Sequence, residues 1–136
     1  MYLVDTDTVV YALNGVPAVR EAFERTSTQP KAISVITYGE LHYGASKSAK
    51  CEANLAKVRR VAELFPVLDV TKAVVETFGS LKARMDSKGA RIGDFDLVIA
   101  ATALVAGYTL VTKNERHFKS VPGLSMENWT RRPRRS

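Results

Sequence analysis

Apolar residues fall along the chain in short runs and in spacings of three and four, broken by polar and turn-forming positions. Tyr2, Leu3 and Val4 form a β-prone run that Asp5 ends. A helix follows from Thr6 or Asp7 to Leu13, closed by Asn14-Gly15. Pro17 suits the first turn of a second helix reaching about Arg25. Residues 32–35 read as a strand, and the pattern is helical again from Thr37. Over residues 49–65, Leu55, Val58, Ala62 and Phe65 lie at helical spacing on one stripe, which Pro66 terminates. Residues 67–70 read as a third strand, and Val74, Phe78, Leu81 and Met85 mark the next helix, closed by Ser87-Lys88-Gly89. Residues 94–106 differ, because Leu97 to Ala106 place apolar side chains on every side, the pattern of a buried helix. Residues 109–111 form a strand after Gly107, and residues 124–126 form a last short one. Strands alternating with helices predict an α/β fold, a small and mostly parallel sheet flanked by helices. Sheets of that kind take ligands beyond the carboxyl ends of their strands.

The chain has 136 residues, the size of one domain. Its hydrophobic fraction is 46% and its charged fraction 25%, which exclude a disordered or fibrous protein. No apolar stretch reaches the roughly 20 residues of a membrane span. The opening MYLVDTD has no basic region or small-residue cleavage site, and Cys51 is the only cysteine, so a cytoplasmic protein without disulfides or Cys-ligated zinc is expected. The net charge is +6, but Arg131, Arg132, Arg134 and Arg135 carry four of these charges, leaving +2 for the body. The chain therefore divides into a domain over residues 1–130 and a basic tail over 131–136.

Three carboxylates stand where such a sheet places its chemistry. Asp5 follows the first strand and Glu40 follows the second, while Asp96 opens the apolar helix. Each also has a structural explanation. Asp5, Thr6 or Asp7 can cap the following helix, with Thr6 and Asp7 the better candidates. Thr37-x-x-Glu40 fits a capping box. Asp94 and Asp96 suit a helix N-terminus, yet lie about 200° apart around its axis, so only one can enter a shared site. Asp96 is the choice, because Ile99 and Ala100 on its face are apolar; Asp94 is then a cap or rim residue. Thr112, Lys113 and Asn114 follow the strand at 109–111, and Arg116 comes soon after. Asn114 can hold a water or a carboxylate, and Lys113 and Arg116 can face an anion. Two carboxylates about 4 Å apart repel by roughly 4 kcal/mol at an effective dielectric near 20, so a converged set requires protonation or a cation. Oxygen donors without His or Cys select magnesium or manganese, and the chemistry that follows is attack on a phosphate ester.

These residues resemble the PIN-domain ribonucleases, specifically the VapC toxins of toxin–antitoxin pairs. The resemblance rests on Leu3-Val4-Asp5-Thr6-Asp7, on Ile33 to Leu41 with Tyr43-Gly44-Ala45, on Asp96 to Ala103, and on Thr109 to Asn114 ending at Phe118. It implies a three-layer α/β/α fold and an Mg2+ or Mn2+ site at Asp5, Glu40 and Asp96, which are the catalytic acids by matched position. It implies cleavage of transfer or ribosomal RNA that blocks translation. A cognate VapB-like antitoxin, homodimers and toxin–antitoxin hetero-oligomers are implied as partners, and no membrane. The fourth acidic position of the wider family falls at Asn114, and the opening motif carries Asp7 where Asn is common.

Two alternatives remain open on the residues. Asp5-Thr6-Asp7-Thr8-Val9 also fits the opening motif of haloacid-dehalogenase-type phosphatases, with Asp5 as nucleophile, but this leaves Glu40 without a role. A non-catalytic RNA-binding module would call for aromatics interleaved with basic residues, and the five Phe, five Tyr and one Trp lie mostly in apolar stripes. The tail is either a solvated end or an arm that grips RNA backbone.

Overall fold

The computed structural model describes residues 1–132. Five strands, β1 (Tyr2–Val4), β2 (Lys31–Ser34), β3 (Val67–Leu68), β4 (Thr109–Val111) and β5 (Met126–Glu127), form one sheet in the order β3-β2-β1-β4-β5. Every pairing is parallel. Leu3 sits opposite both Ala32 and Leu110, so β1 is the central strand. Among the described residues the helices are α1 (Thr6–Leu13), α2 (Pro17–Arg25), α3 (Val35–Ser46), α4 (Cys51–Leu64), α5 (Lys72–Ser87), α6 (Asp94–Ala106) and α7 (Glu115–Phe118).

A strand's side chains alternate between its two faces, and both faces here are buried. Leu3 and Leu110 pack with Val74, Leu81 and Met85 of α5 and with Leu97, Ile99 and Ala103 of α6. Val4 and Ile33 pack on the opposite side with Val9 of α1, Leu41 and Ala45 of α3, and Val58 and Val61 of α4. The sheet is therefore the middle of three layers. The chain runs outward from β1 through β2 to β3, then α5 and α6 carry it back to β4 on the other side of β1. The strand order reverses between β1 and β4, and the crevice beyond their carboxyl ends is where open α/β sheets place their sites.

Several boundaries differ from the sequence pattern. β2 ends at Ser34 and α3 begins at Val35, two residues before Thr37, because the Ser34 hydroxyl caps the helix by accepting from Ile36 N at 3.0 Å. β3 stops at Leu68 rather than residue 70, α4 starts at Cys51, and the last strand lies at Met126–Glu127. The α6 helix is not apolar-buried on all sides. Leu97 and the run from Ile99 to Ala103 are buried, whereas Phe95 is 63% and Val105 44% exposed. Gly107 ends it in the left-handed region (φ 71°), and Tyr108 N bonds back to Ala103 O.

Beyond β5, Trp129 is buried edge-on against Tyr2 and Phe23. Arg132 then forks onto Glu21 at 3.0 and 3.1 Å, and Arg131 pairs with Glu115. The first two arginines of the expected free tail thus lie on the body. Pro133, Arg134 and Arg135 lie outside the described residues. Among the described residues, no helix is long and apolar enough to cross a membrane.

Candidate active site

Asp5 stands where β1 turns into α1. Its carboxylate is 5% exposed, and both oxygens are held. Oδ1 accepts from Thr6 N at 2.8 Å, and Oδ2 accepts from the Thr112 hydroxyl, beyond β4, at 2.9 Å. The cap of α1, expected at Thr6 or Asp7, is thus Asp5 itself. Burial is the main force that pushes Asp5 up from 3.8 to about 7. The charge of Asp7 adds to the rise and that of Asp96 adds less, while the bonds from Thr112 and Thr6 oppose it.

Asp7 ties α1 to the loop after β4. Its Oδ2 accepts from Lys113 N at 3.1 Å and lies 3.4 Å from the Thr112 hydroxyl, and its Oδ1 accepts from the Thr8 hydroxyl at 3.0 Å. Asn114 N donates to Thr112 Oγ1 at 3.1 Å, so Thr112 joins Asp5, Asp7 and the start of α7. Lys113 meets this site through its backbone. Its ammonium stands 3.3 Å from the Tyr11 hydroxyl and 5.4 Å from the centre of that ring. Asn114 is the cap residue of α7 but makes no side-chain cap bond.

Glu40 is not part of a capping box. Ser34 does the capping, and Thr37 is buried inside the first turn of α3. Glu40 Oε1 instead accepts from the Thr6 hydroxyl at 2.7 Å, and Thr37 Oγ1 lies 3.1 Å from the same hydroxyl. Glu40 is therefore turned toward the end of β1. Thr6 stands between it and Asp5.

The two acids of α6 diverge as helical geometry requires. Asp94 pairs with Lys82 of α5 at 2.8 Å and lines a cleft with Met85, Gly89 and Arg91. Gly93, not Asp94, occupies the cap position. Asp96 lies close enough to Asp5 to raise its pKa, and its Oδ2 is 3.0 Å from His117 Nε2. His117, Thr6 and Thr37 belong to this constellation, although the sequence pattern marked Thr6 and Thr37 only as helix-capping candidates and did not mark His117. Thr6 carried a local signal, since it lies inside the opening motif. His117 carried none, because its partner is 21 residues away.

Asp7 and Asp96 both lie close enough to Asp5 to raise its pKa, and Glu40 is joined to the group through Thr6. Among the described residues, no three His, Cys, Asp or Glu side chains converge tightly enough to hold an ion by themselves. The donor set still fits magnesium. That ion keeps several waters and binds through one or two carboxylates plus a phosphate rather than in an all-protein cage. A buried carboxyl pushed up to about 7 beside two other acids is a site where a cation relieves repulsion.

A family profile described as PIN domain matches residues 2–124. The chain belongs to the PIN domain family. Within that family it is similar to Ribonuclease VapC2 of Rickettsia felis, at 37% identity over 133 residues, 95% of this chain and 98% of the relative. It is 38% identical over 130 residues to the tRNA(fMet)-specific endonuclease VapC of Salmonella typhimurium, 94% of this chain and 97% of the relative. Among solved structures, that of VapBC2 from Rickettsia felis bound to a DNA fragment from its promoter matches with a TM-score of 0.88, covering 94% of this chain and 98% of that one. DNA-bound VapBC from Salmonella typhimurium matches with a TM-score of 0.87 over 94% and 97%. The PIN domain match spans all three catalytic candidates, Asp5, Glu40 and Asp96, whereas the phosphatase alternative left Glu40 idle.

Proposed function

We propose that the chain is a magnesium- or manganese-dependent endoribonuclease and the toxin of a toxin–antitoxin pair. It cleaves structured RNA of the transfer or ribosomal class and blocks translation in the cytoplasm. The observation that carries this reading is the buried Asp5 carboxylate, pushed up to about 7 at the strand-order reversal with Asp7 and Asp96 beside it. Similar VapC proteins named as ribonucleases, one of them specific for tRNA(fMet), support RNA as the substrate and make transfer RNA the first to test.

Asp5 and Asp96, with Glu40 completing the set, would hold the ion, which supplies a Lewis acid to a phosphate oxygen when bound. The chain's own contribution is orientation. Thr112 and Thr6 N fix the two oxygens of Asp5, the Thr6 hydroxyl fixes Glu40, and His117 holds Asp96. Fixed carboxylates incur no reorganisation when a phosphate arrives.

The partner in this reading is a VapB-like antitoxin in a hetero-oligomer that contains a toxin homodimer. An arginine from that partner would find charge-assisted bonds in the acidic crevice, which makes inhibition and site occupancy one event. Purified protein should cleave transfer RNA with magnesium and stop with a chelator. Asp5→Asn should abolish cleavage and growth inhibition while retaining the fold, and cleavage at the parent rate would place the chemistry elsewhere. Isolation of the chain as an active, harmless monomer would argue against the antitoxin and the dimer.

A further inference from the structure

An open cleft of about 590 Å³ adjoins the acid site, lined by Arg91, Lys113, Asn114, Arg116, His117 and Lys119, with Ala90 and Ser120 completing it. Four of the lining side chains are formally cationic and none is acidic. All four residues are exposed, and among the described residues none of the four is ion-paired, although Lys113 leans on Tyr11. Nearby cations of the same surface are neutralised, Lys82 by Asp94 and Arg131 by Glu115. Unpaired like charges along one cleft repel one another, and this arrangement contributes nothing to the fold.

His117 joins the two regions. It lines the basic cleft and bonds Asp96 with Nε2. Asn114 does the same from the other side, lining the cleft while its N–H bonds Thr112, which holds Asp5. A strand whose scissile phosphate lies against Asp5 and Asp96 therefore has a run of positive charge directly beside it. The acid site repels phosphates and offers them nothing without a cation, so the backbone must be gripped next to the site rather than in it.

We infer that the Arg91–Lys113–Arg116–Lys119 cleft is the subsite that binds the RNA backbone flanking the scissile phosphate. This rests on the ribonuclease reading. The ligand is the phosphate backbone of RNA, because the lining offers four cations and no carboxylate, and recognition through phosphates is insensitive to base sequence. An acidic peptide from a protein partner would satisfy the same charges, and the experiment separates that occupant from RNA.

The experiment uses the full chain carrying Asp5→Asn, so that RNA survives, and a fluorescent single-stranded RNA oligonucleotide read by anisotropy across a salt series. Each lost phosphate contact lowers the slope of log affinity against log salt by about 0.7 on a single strand, so Arg91→Gln with Lys119→Gln should lower it by about 1.4. Lys47→Gln with Lys50→Gln, around the end of α3, should leave it unchanged. Because substitution could disturb the fold, a second measurement uses the same protein without the Gln changes. RNA should slow acetylation of Lys113 and Lys119 several-fold and leave Lys72 on α5 alone. An unchanged slope together with unprotected lysines would overturn the inference. So would an unchanged RNA slope with a weakened antitoxin complex, which would assign the cleft to the protein partner. Absence of RNA cleavage by the protein with native Asp5 would instead bring down the ribonuclease reading, so the two failures are distinguishable.

Discussion

Replacement of Asp5 by Asn should make the metal-free protein more stable while abolishing its chemistry. The amide oxygen can still accept from Thr6 N. The amide nitrogen would face Thr112 Oγ1, which already accepts from Asn114 N and has a second lone pair; its own proton can turn to Asp7 Oδ2, 3.4 Å away. The exchange therefore leaves no buried polar atom without a partner. It removes an ionised form disfavoured by burial. Asp5 titrates near 3.8 when unfolded and at about 7 when folded, so the folded state retains a proton that the unfolded state loses. Stability linked to that proton is fully present below the unfolded value and is lost as pH rises through about 7. At about 1.4 kcal/mol per tenfold change in the equilibrium, Asn should gain roughly 4 kcal/mol over the parent at pH 8 and under about 1 kcal/mol at pH 4. Urea unfolding in chelator reads this directly, as a midpoint higher by about 2 M at pH 8 for a slope near 2 kcal/mol per M. Millimolar magnesium should stabilise the parent and not the variant, narrowing the gap. A variant no more stable than the parent at pH 8, or a gain of equal size at both pH values, would refute the electrostatic account of Asp5.

Thr6→Val removes the 2.7 Å bond to Glu40, and loss of that orientation should lower RNA cleavage about tenfold, equivalent to about 1.4 kcal/mol; Thr6→Ser, which keeps the hydroxyl, should restore the rate in the same assay. His117→Ala breaks a pair whose side chains are 39% and 37% exposed, so a thermal melt should show less than about 1 kcal/mol of change. Ending the chain at Thr130 removes four arginines, of which Arg131 and Arg132 already engage Glu115 and Glu21; the salt slope for single-stranded RNA should therefore flatten by about 1.4, with the cut site unchanged, and a flattening near the four-contact limit of about 2.8 would show that both ion pairs yield to RNA.

The elements were legible wherever the physics is local. Apolar runs closed by Asp5 and Gly107 marked β1 and the end of α6, and Val74, Leu81 and Met85 are buried on one face of α5 as their spacing required. The divergence of Asp94 and Asp96 was also legible, since it follows from about 100° of rotation per helical residue, and the two side chains do reach different partners. Local rules failed where a distant group competed. Thr37-x-x-Glu40 has the spacing of a capping box, but Ser34 stands where the chain leaves β2 and captures Ile36 N first. Glu40 is then free to take the hydroxyl of Thr6, 34 residues earlier. The charge on Asp5 was for the larger part beyond local reading: Asp7 is two residues away, but burial and the approach of Asp96 exist only once β1 lies beside β4 and α6 packs across them. The arginine run read as a free tail for the same reason: nothing near it in sequence shows that Glu115 and Glu21 lie within its reach. What the sequence determined by itself was every element but the short α7, and the carboxylates at their ends, because strand alternation, helix periodicity and strand termini depend on neighbours along the chain. Which hydroxyl holds which carboxylate, and which cations remain unpaired beside them, was decided only by tertiary packing, because hydrogen bonds and desolvation act through space without regard to separation along the chain.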